Sequence, residues 1–92
     1  MITAIVQVRC SRELIPQTAE AIAALPGIVE VYSVSGEYDL MAILKVRTYD
    51  QIAEVVTEQM AGVPGIVRTN TISAFRVYSR ADREAGFTLG GS

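Results

Sequence analysis

Ninety-two residues, half of them apolar and a fifth charged, suffice for one domain with one core and exclude two domains or a low-complexity chain. A net charge of −2, with Lys and Arg scattered, leaves no basic face to neutralise phosphates, so no direct contact with nucleic acid is expected. Without His, imidazole catalysis and most transition-metal ligation are excluded, and no cofactor is expected. A single Cys permits no intramolecular disulfide.

The first segment, Ile2 to Arg9, alternates: Ile2, Ala4, Val6 and Val8 share one face of a strand, and Thr3, Ile5, Gln7 and Arg9 share the other. Its polar interruptions make it neither a signal peptide nor a membrane span, which leaves the cytoplasm as the expected compartment and no membrane as partner. Cys10 reads as a small buried hydrophobe. A helix begins at Ser11 or Arg12, with Pro16 in its first turn and a stripe of Ile15, Ala19, Ile22 and Leu25, and Pro26-Gly27 stops it.

The stretch Val31 to Val46 reads as a hairpin. A second strand runs from about Ile28 to Ser35, Gly36-Glu37-Tyr38-Asp39 break it with a tight polar turn, and a third strand runs from about Asp39 to Val46. Leu40, Ala42, Leu44 and Val46 point to one side of the third strand, and Met41 and Ile43 to the other. A strand apolar on both faces is covered on both. Thr48 opens a second helix with Gln51 at capping-box spacing, and Ile52, Val56, Met60 and Val63, with Val55 alongside, form its inward stripe. A last strand is expected from about Val67 to Tyr78. The domain then spans residues 1–78 and a C-terminal tail spans 79–92. A short helical turn is expected at Arg80–Glu84, with Phe87 and Leu89 as anchors and no function assigned.

Leu25-Pro26-Gly27-Ile28-Val29 recurs as Val63-Pro64-Gly65-Ile66-Val67, each time between a helix and a strand. Two βαβ halves follow, which is the order of the α+β ferredoxin-like unit: a four-stranded antiparallel sheet with two helices on one face. The other face carries Ile5, Met41 and Ile43, with either Phe75 and Val77 or Ile72 and Ala74. That patch exceeds what soluble monomers expose. At ~25 cal/mol per Å², burying ~800 Å² of apolar surface is worth on the order of 20 kcal/mol before association costs. A domain this small buries only ~60–65% of its unfolded surface, so association also helps it fold. A two-fold homodimer joined through that face, a dimeric α/β barrel, is the expected closure.

Candidate chemistry is sparse. Gly36, Glu37, Tyr38 and Asp39 put an aromatic and two carboxylates on one turn. Either it is a plain hairpin turn, or its free amides bind a carboxylate while Asp39 or Glu37 faces an ammonium group. Thr69 and Thr71 project to the same side of the last strand and could line one wall. No nucleophile stands beside a base, and no phosphate loop or metal-spaced ligand set occurs.

Pro26-Gly27-Ile28, the run Val31 to Leu40, and the run Val63 to Thr71 together resemble the effector-binding domain of the Lrp/AsnC transcription regulators. This is the feast/famine family, and the module is also called the amino-acid metabolism regulation domain. The resemblance covers roughly residues 2 to 78 and is strongest to stand-alone members without a DNA-binding half. Because the first strand begins at Ile2, no room for a helix-turn-helix is expected. The resemblance implies dimers that assemble further, into an octamer or similar ring, with amino-acid sites where dimers meet. The family's G-x-Y-D turn falls on Gly36, Tyr38 and Asp39, with Glu37 inside it, and its T-x-T falls on Thr69 and Thr71. These positions would grip the ligand's amino and carboxyl groups.

The expected function is thus non-enzymatic: amino-acid binding coupled to self-assembly or to co-assembly with full-length Lrp/AsnC regulators. A small dimeric α/β-barrel enzyme of monooxygenase or isomerase type is the alternative. A pocket lined by Tyr, Asn and Asp would favour it. An ACT-type module would want a Pro-Gly turn after the first strand, where Cys10-Ser11-Arg12-Glu13 stands instead.

Overall fold

The alternation at the N-terminus becomes strand β1, Ile2–Cys10, in which Ala4, Val6, Val8 and Cys10 are buried and the residues between them are not. The structure, a computed structural model, describes residues 1–80. The expected helical turn at Arg80–Glu84 and the anchors Phe87 and Leu89 therefore lie outside the described residues, save Arg80 itself.

The first helix starts later than the sequence pattern indicates. Arg12–Leu14 form a single 3-10 turn, and regular α1 covers Ile15–Ala23. Pro16 explains the delay. Its ring would strike the Arg12 carbonyl in a helix begun at residue 12, whereas at the first turn its missing N–H costs nothing. Ile22 is fully buried, Ile15, Ala19 and Leu25 pack around it, and Thr18 is the one polar side chain buried with them among the described residues. Its hydroxyl donates to the Pro64 carbonyl at 3.1 Å.

β2 (Ile28–Ser33) and β3 (Leu40–Val46) form the hairpin, with a bulge near Val29. Both arms are shorter at the tip than expected. The segment from Val34 to Asp39 is a loop closed by Val34 N–H donating to the Asp39 carbonyl at 3.0 Å. α2 opens at Tyr49–Ala53 behind a complete capping box: Thr48 Oγ1 accepts from Gln51 N–H, and Gln51 Oε1 accepts from Thr48 N–H. The helix then widens to π winding over Glu54–Gln59 and tightens to a 3-10 turn at Met60–Gly62.

β4 is Ile66–Ala74 rather than a strand reaching Tyr78. The reason lies in its partner. β4 pairs antiparallel with β1, and Ala74 already meets Thr3, so Ile2 is all that remains of β1 and residues past Phe75 run off its start. Phe75, Val77 and Tyr78 project as exposed side chains.

The strand order is β2-β3-β1-β4, antiparallel throughout, as expected for the ferredoxin-like arrangement. Ile22 of α1 and Met60 and Val63 at the end of α2 share one core cluster with Val6, Val8, Leu40 and Ala42. Ile52 and Val55 meet Ala4, Leu44 and Val46 in a second. Both helices therefore lie on one face of the sheet. The repeated Pro-Gly turns join the two halves reciprocally: the Gly27 carbonyl accepts from Lys45 N–H of β3, and the Gly65 carbonyl accepts from Ser11 N–H just after β1, both at 2.8 Å.

The pairing also decides what the open face carries. Ile5 stands between Ile43 and Ile72, and Gln7 between Met41 and Asn70. Ile72 and Ala74 thus belong to this face. Tyr32, opposite Met41, joins them from β2 and is half-exposed.

Candidate functional site

The loop between β2 and β3 sits at one end of the open sheet face, and backbone geometry shapes it first. Gly36 has φ of +116°, in the left-handed region that disfavours side chains, although a Cβ there would meet nothing within 4 Å. Asp39 then fastens the loop to β1. Its N–H donates to the Val8 carbonyl and its Oδ2 accepts from Cys10 N–H, both at 2.9 Å. Pairing of β3 with β1 ends at Val8, so the Asp39 carboxylate stands in for the missing strand at Cys10. Burial, and secondarily the Asp39 charge, push the Cys10 thiol pKa up, so the thiol stays neutral and acts as a core group.

Two guanidinium groups hold the loop from outside. Arg9 donates through Nε and Nη2 to the Glu37 carbonyl, at 3.1 and 2.7 Å. Arg68 donates through Nη2 to Glu37 Oε1 at 3.1 Å, and its Cζ lies 5.4 Å from the centroid of the Tyr38 ring. The Arg68–Glu37 pair is solvated, its side chains 53% and 70% exposed, and such pairs contribute only about 0–1 kcal/mol.

Between this loop and the sheet lies an open cleft of about 540 Å³. Val34, Ser35, Glu37 and Tyr38 form its loop side, and Gln7, Met41 and Asn70 its floor. Asn70 Nδ2 donates to Gln7 Oε1 at 2.8 Å, which holds the two floor amides together.

Of the six residues expected at the site, Glu37 and Tyr38 line the cleft, while Gly36 and Asp39 shape its wall. Thr69 and Thr71 share one face of β4, as their spacing requires. They stand opposite Val8 and Val6, however, on the helix side of the sheet. Within one chain the sheet separates them from the cleft. Arg9, Arg68, Gln7 and Asn70 carried no signal in the sequence, because only the β1–β4 register brings Arg9 to Arg68 and Gln7 to Asn70. Among the described residues, no three of His, Cys, Asp and Glu gather to hold a metal, and no helix is long and apolar enough to cross a membrane.

The model of the Lrp/AsnC ligand binding domain matches residues 3–83. The chain belongs to the Lrp/AsnC ligand-binding domain family. TTHA0845 from Thermus thermophilus is similar to it over 87% of this chain and 100% of its own, at 42% identity and a TM-score of 0.81. PHS023 from Pyrococcus horikoshii is 28% identical, with 87% of this chain and 96% of its own covered and a TM-score of 0.76. The transcriptional regulator NMB0573 from Neisseria meningitidis, solved as an L-Met complex, shares the fold alone: 11% identity and a TM-score of 0.76, over 86% of this chain and 53% of the regulator. The comparison with curated proteins returned no match. In this Lrp/AsnC domain the G-x-Y-D turn is therefore the loop that Arg9 and Arg68 hold, and the T-x-T pair lies on the far side of the sheet.

Proposed function

We propose that this Lrp/AsnC domain is a cytoplasmic effector-binding and oligomerisation module, not an enzyme, that binds an amino acid and reports it through assembly. One observation carries the reading: a cleft beside the G-x-Y-D turn, with a carboxylate, a guanidinium and an aromatic ring at its edge, opens on an apolar sheet face that helices do not cover. An amino acid offers both charges that such an edge can pair. The L-Met held by NMB0573 supports the class of ligand.

A second copy covers the sheet face, and further copies close a ring such as an octamer. Gly36, Glu37, Tyr38 and Asp39 of one copy then meet Thr69 and Thr71 of another, since one sheet cannot present both groups to one ligand. A ligand bridging copies stabilises the assembly it bridges, and full-length Lrp/AsnC regulators can join the same ring. The barrel-enzyme alternative gains Tyr38 and Asn70 in the cleft. It is disfavoured because the Asp39 carboxylate is engaged by Cys10 N–H, and the residues lining the cleft include no nucleophile hydrogen-bonded to a base.

Thermal-shift titration of the purified chain with the twenty amino acids tests the reading. At least one is expected to raise the melting temperature at millimolar concentration and to change the mass seen by light scattering. Silence from all of them would sink the amino-acid ligand.

A further inference from the structure

Arg9 and Arg68 stand directly opposite one another on β1 and β4. Like charges at paired positions repel unless something negative lies against them. Here the backbone oxygen of Glu37 takes both Arg9 contacts, and its carboxylate takes Arg68. The two grips differ. The Arg9 fork holds backbone and survives any change of side chain at position 37. The Arg68 contact is made by one nitrogen, Nη2, which donates to Glu37 Oε1 at 3.1 Å and, more loosely, to the Tyr38 hydroxyl at 3.4 Å, and the Arg68 and Glu37 side chains are half-exposed or more.

A guanidinium has a planar fork that matches a carboxylate with two parallel hydrogen bonds, and the contacts to Glu37 and Tyr38 both come from Nη2, which leaves the Nε–H edge of the fork to a ligand. The Tyr38 ring, part of the cleft wall, lies against the same guanidinium at 5.4 Å, so Arg68 stands directly behind the Glu37–Tyr38 wall. A carboxylate that reaches the Glu37–Tyr38 wall and displaces the Glu37 side chain therefore meets a positioned cation whose present carboxylate partner is solvated and weakly held.

We infer that Arg68 is the carboxylate-recognition residue of the cleft and that the Glu37 side chain is an internal occupant of that subsite, which a ligand carboxylate displaces. The inference rests on the effector-binding reading and adds which residue reads the acidic end of the ligand. Its ligands are small carboxylates and zwitterions. Amides and amines without a carboxylate do not compete. Once displaced, the Glu37 carboxylate remains on the cleft wall and meets the ammonium group of a zwitterion.

The test follows the Arg68 side-chain Nε–Hε resonance of the full chain by NMR at constant ionic strength, with the signal assigned by its loss in Arg68→Met. The probes are acetate, glycine and glycinamide. Acetate and glycine are expected to shift the resonance saturably and glycinamide to leave it in place. Glu37→Gln, which removes the competitor, is expected to tighten acetate roughly two- to fivefold, the factor that an exposed ion pair is worth. A merely structural Glu37 would leave acetate unchanged.

An unmoved Arg68 signal, an equal response to glycinamide, or no tightening in Glu37→Gln overturns the inference. The amino-acid thermal-shift screen separates the two readings. A hit there whose affinity Arg68→Met leaves unchanged sinks the role of Arg68 and spares the effector reading. A silent screen with an acetate response keeps the subsite and removes the amino acid.

Discussion

Gly36, Gly65 and Cys10 show what single residues contribute. Gly65 has φ of +93°, and a Cβ there would lie 2.7 Å from Thr18 Oγ1 and 3.2 Å from Leu14 Cβ, so alanine meets both strain and a clash. Gly36 has open space around it and meets strain alone. Gly36→Ala is expected to cost about 1–2 kcal/mol, and Gly65→Ala about 1–3 kcal/mol more, as urea midpoints at equal protein concentration would show. Cys10 makes a prediction in pH. Its thiol pKa is raised, so its contribution to stability is complete below the ordinary value of 9.0 and is lost as pH climbs past it. Thermal melts of Cys10→Ala should therefore fall less steeply above pH 9 than those of the parent. Equal slopes would show that Cys10 does not titrate with unfolding.

At the level of elements, α2 separates local from tertiary causes. Thr48 and Gln51 close their capping box within one turn, and this was legible as a spacing. Thr48→Ala is expected to destabilise by about 0.5–2 kcal/mol, read from the unfolding midpoint. The winding beyond it was not legible. A 3.6-residue period places Val56 inward with Val55 beside it, yet Val55 is the buried one of the pair and Val56 lies partly exposed. The π segment delays the return of the inward face, so that Met60, five residues after Val55, still reaches the core. Met60 is 2% exposed, and Met60→Ala should cost about 2–5 kcal/mol. A cost near zero would mean that the π turn relaxes to close the gap.

For the whole molecule, the open sheet face governs. Ile72 is 44% exposed in the single chain, so Ile72→Glu leaves the fold of one copy intact while placing a charge where a second copy would seat. Light scattering is expected to show the parent as an oligomer at micromolar concentration and the variant shifted to monomer. A parent that is already monomeric would remove the assembly from the proposed function, and an unshifted variant would move the interface elsewhere.

The alternation in β1 and β3, the Pro-Gly repeat, the capping box and the G-x-Y-D turn were all present in the order of residues. Each depends on neighbours a few positions apart, and periodicity records such relations directly. From them follow the ferredoxin-like order, the covered face and the location of the loop. The cleft itself was decided only in three dimensions. The partners Arg9 and Arg68, the floor amides Gln7 and Asn70, the engagement of Asp39 by Cys10 N–H and the exile of Thr69 and Thr71 to the helix side all follow from strand register. Register joins residues far apart in the chain, and a shift of one position turns every side chain to the opposite face.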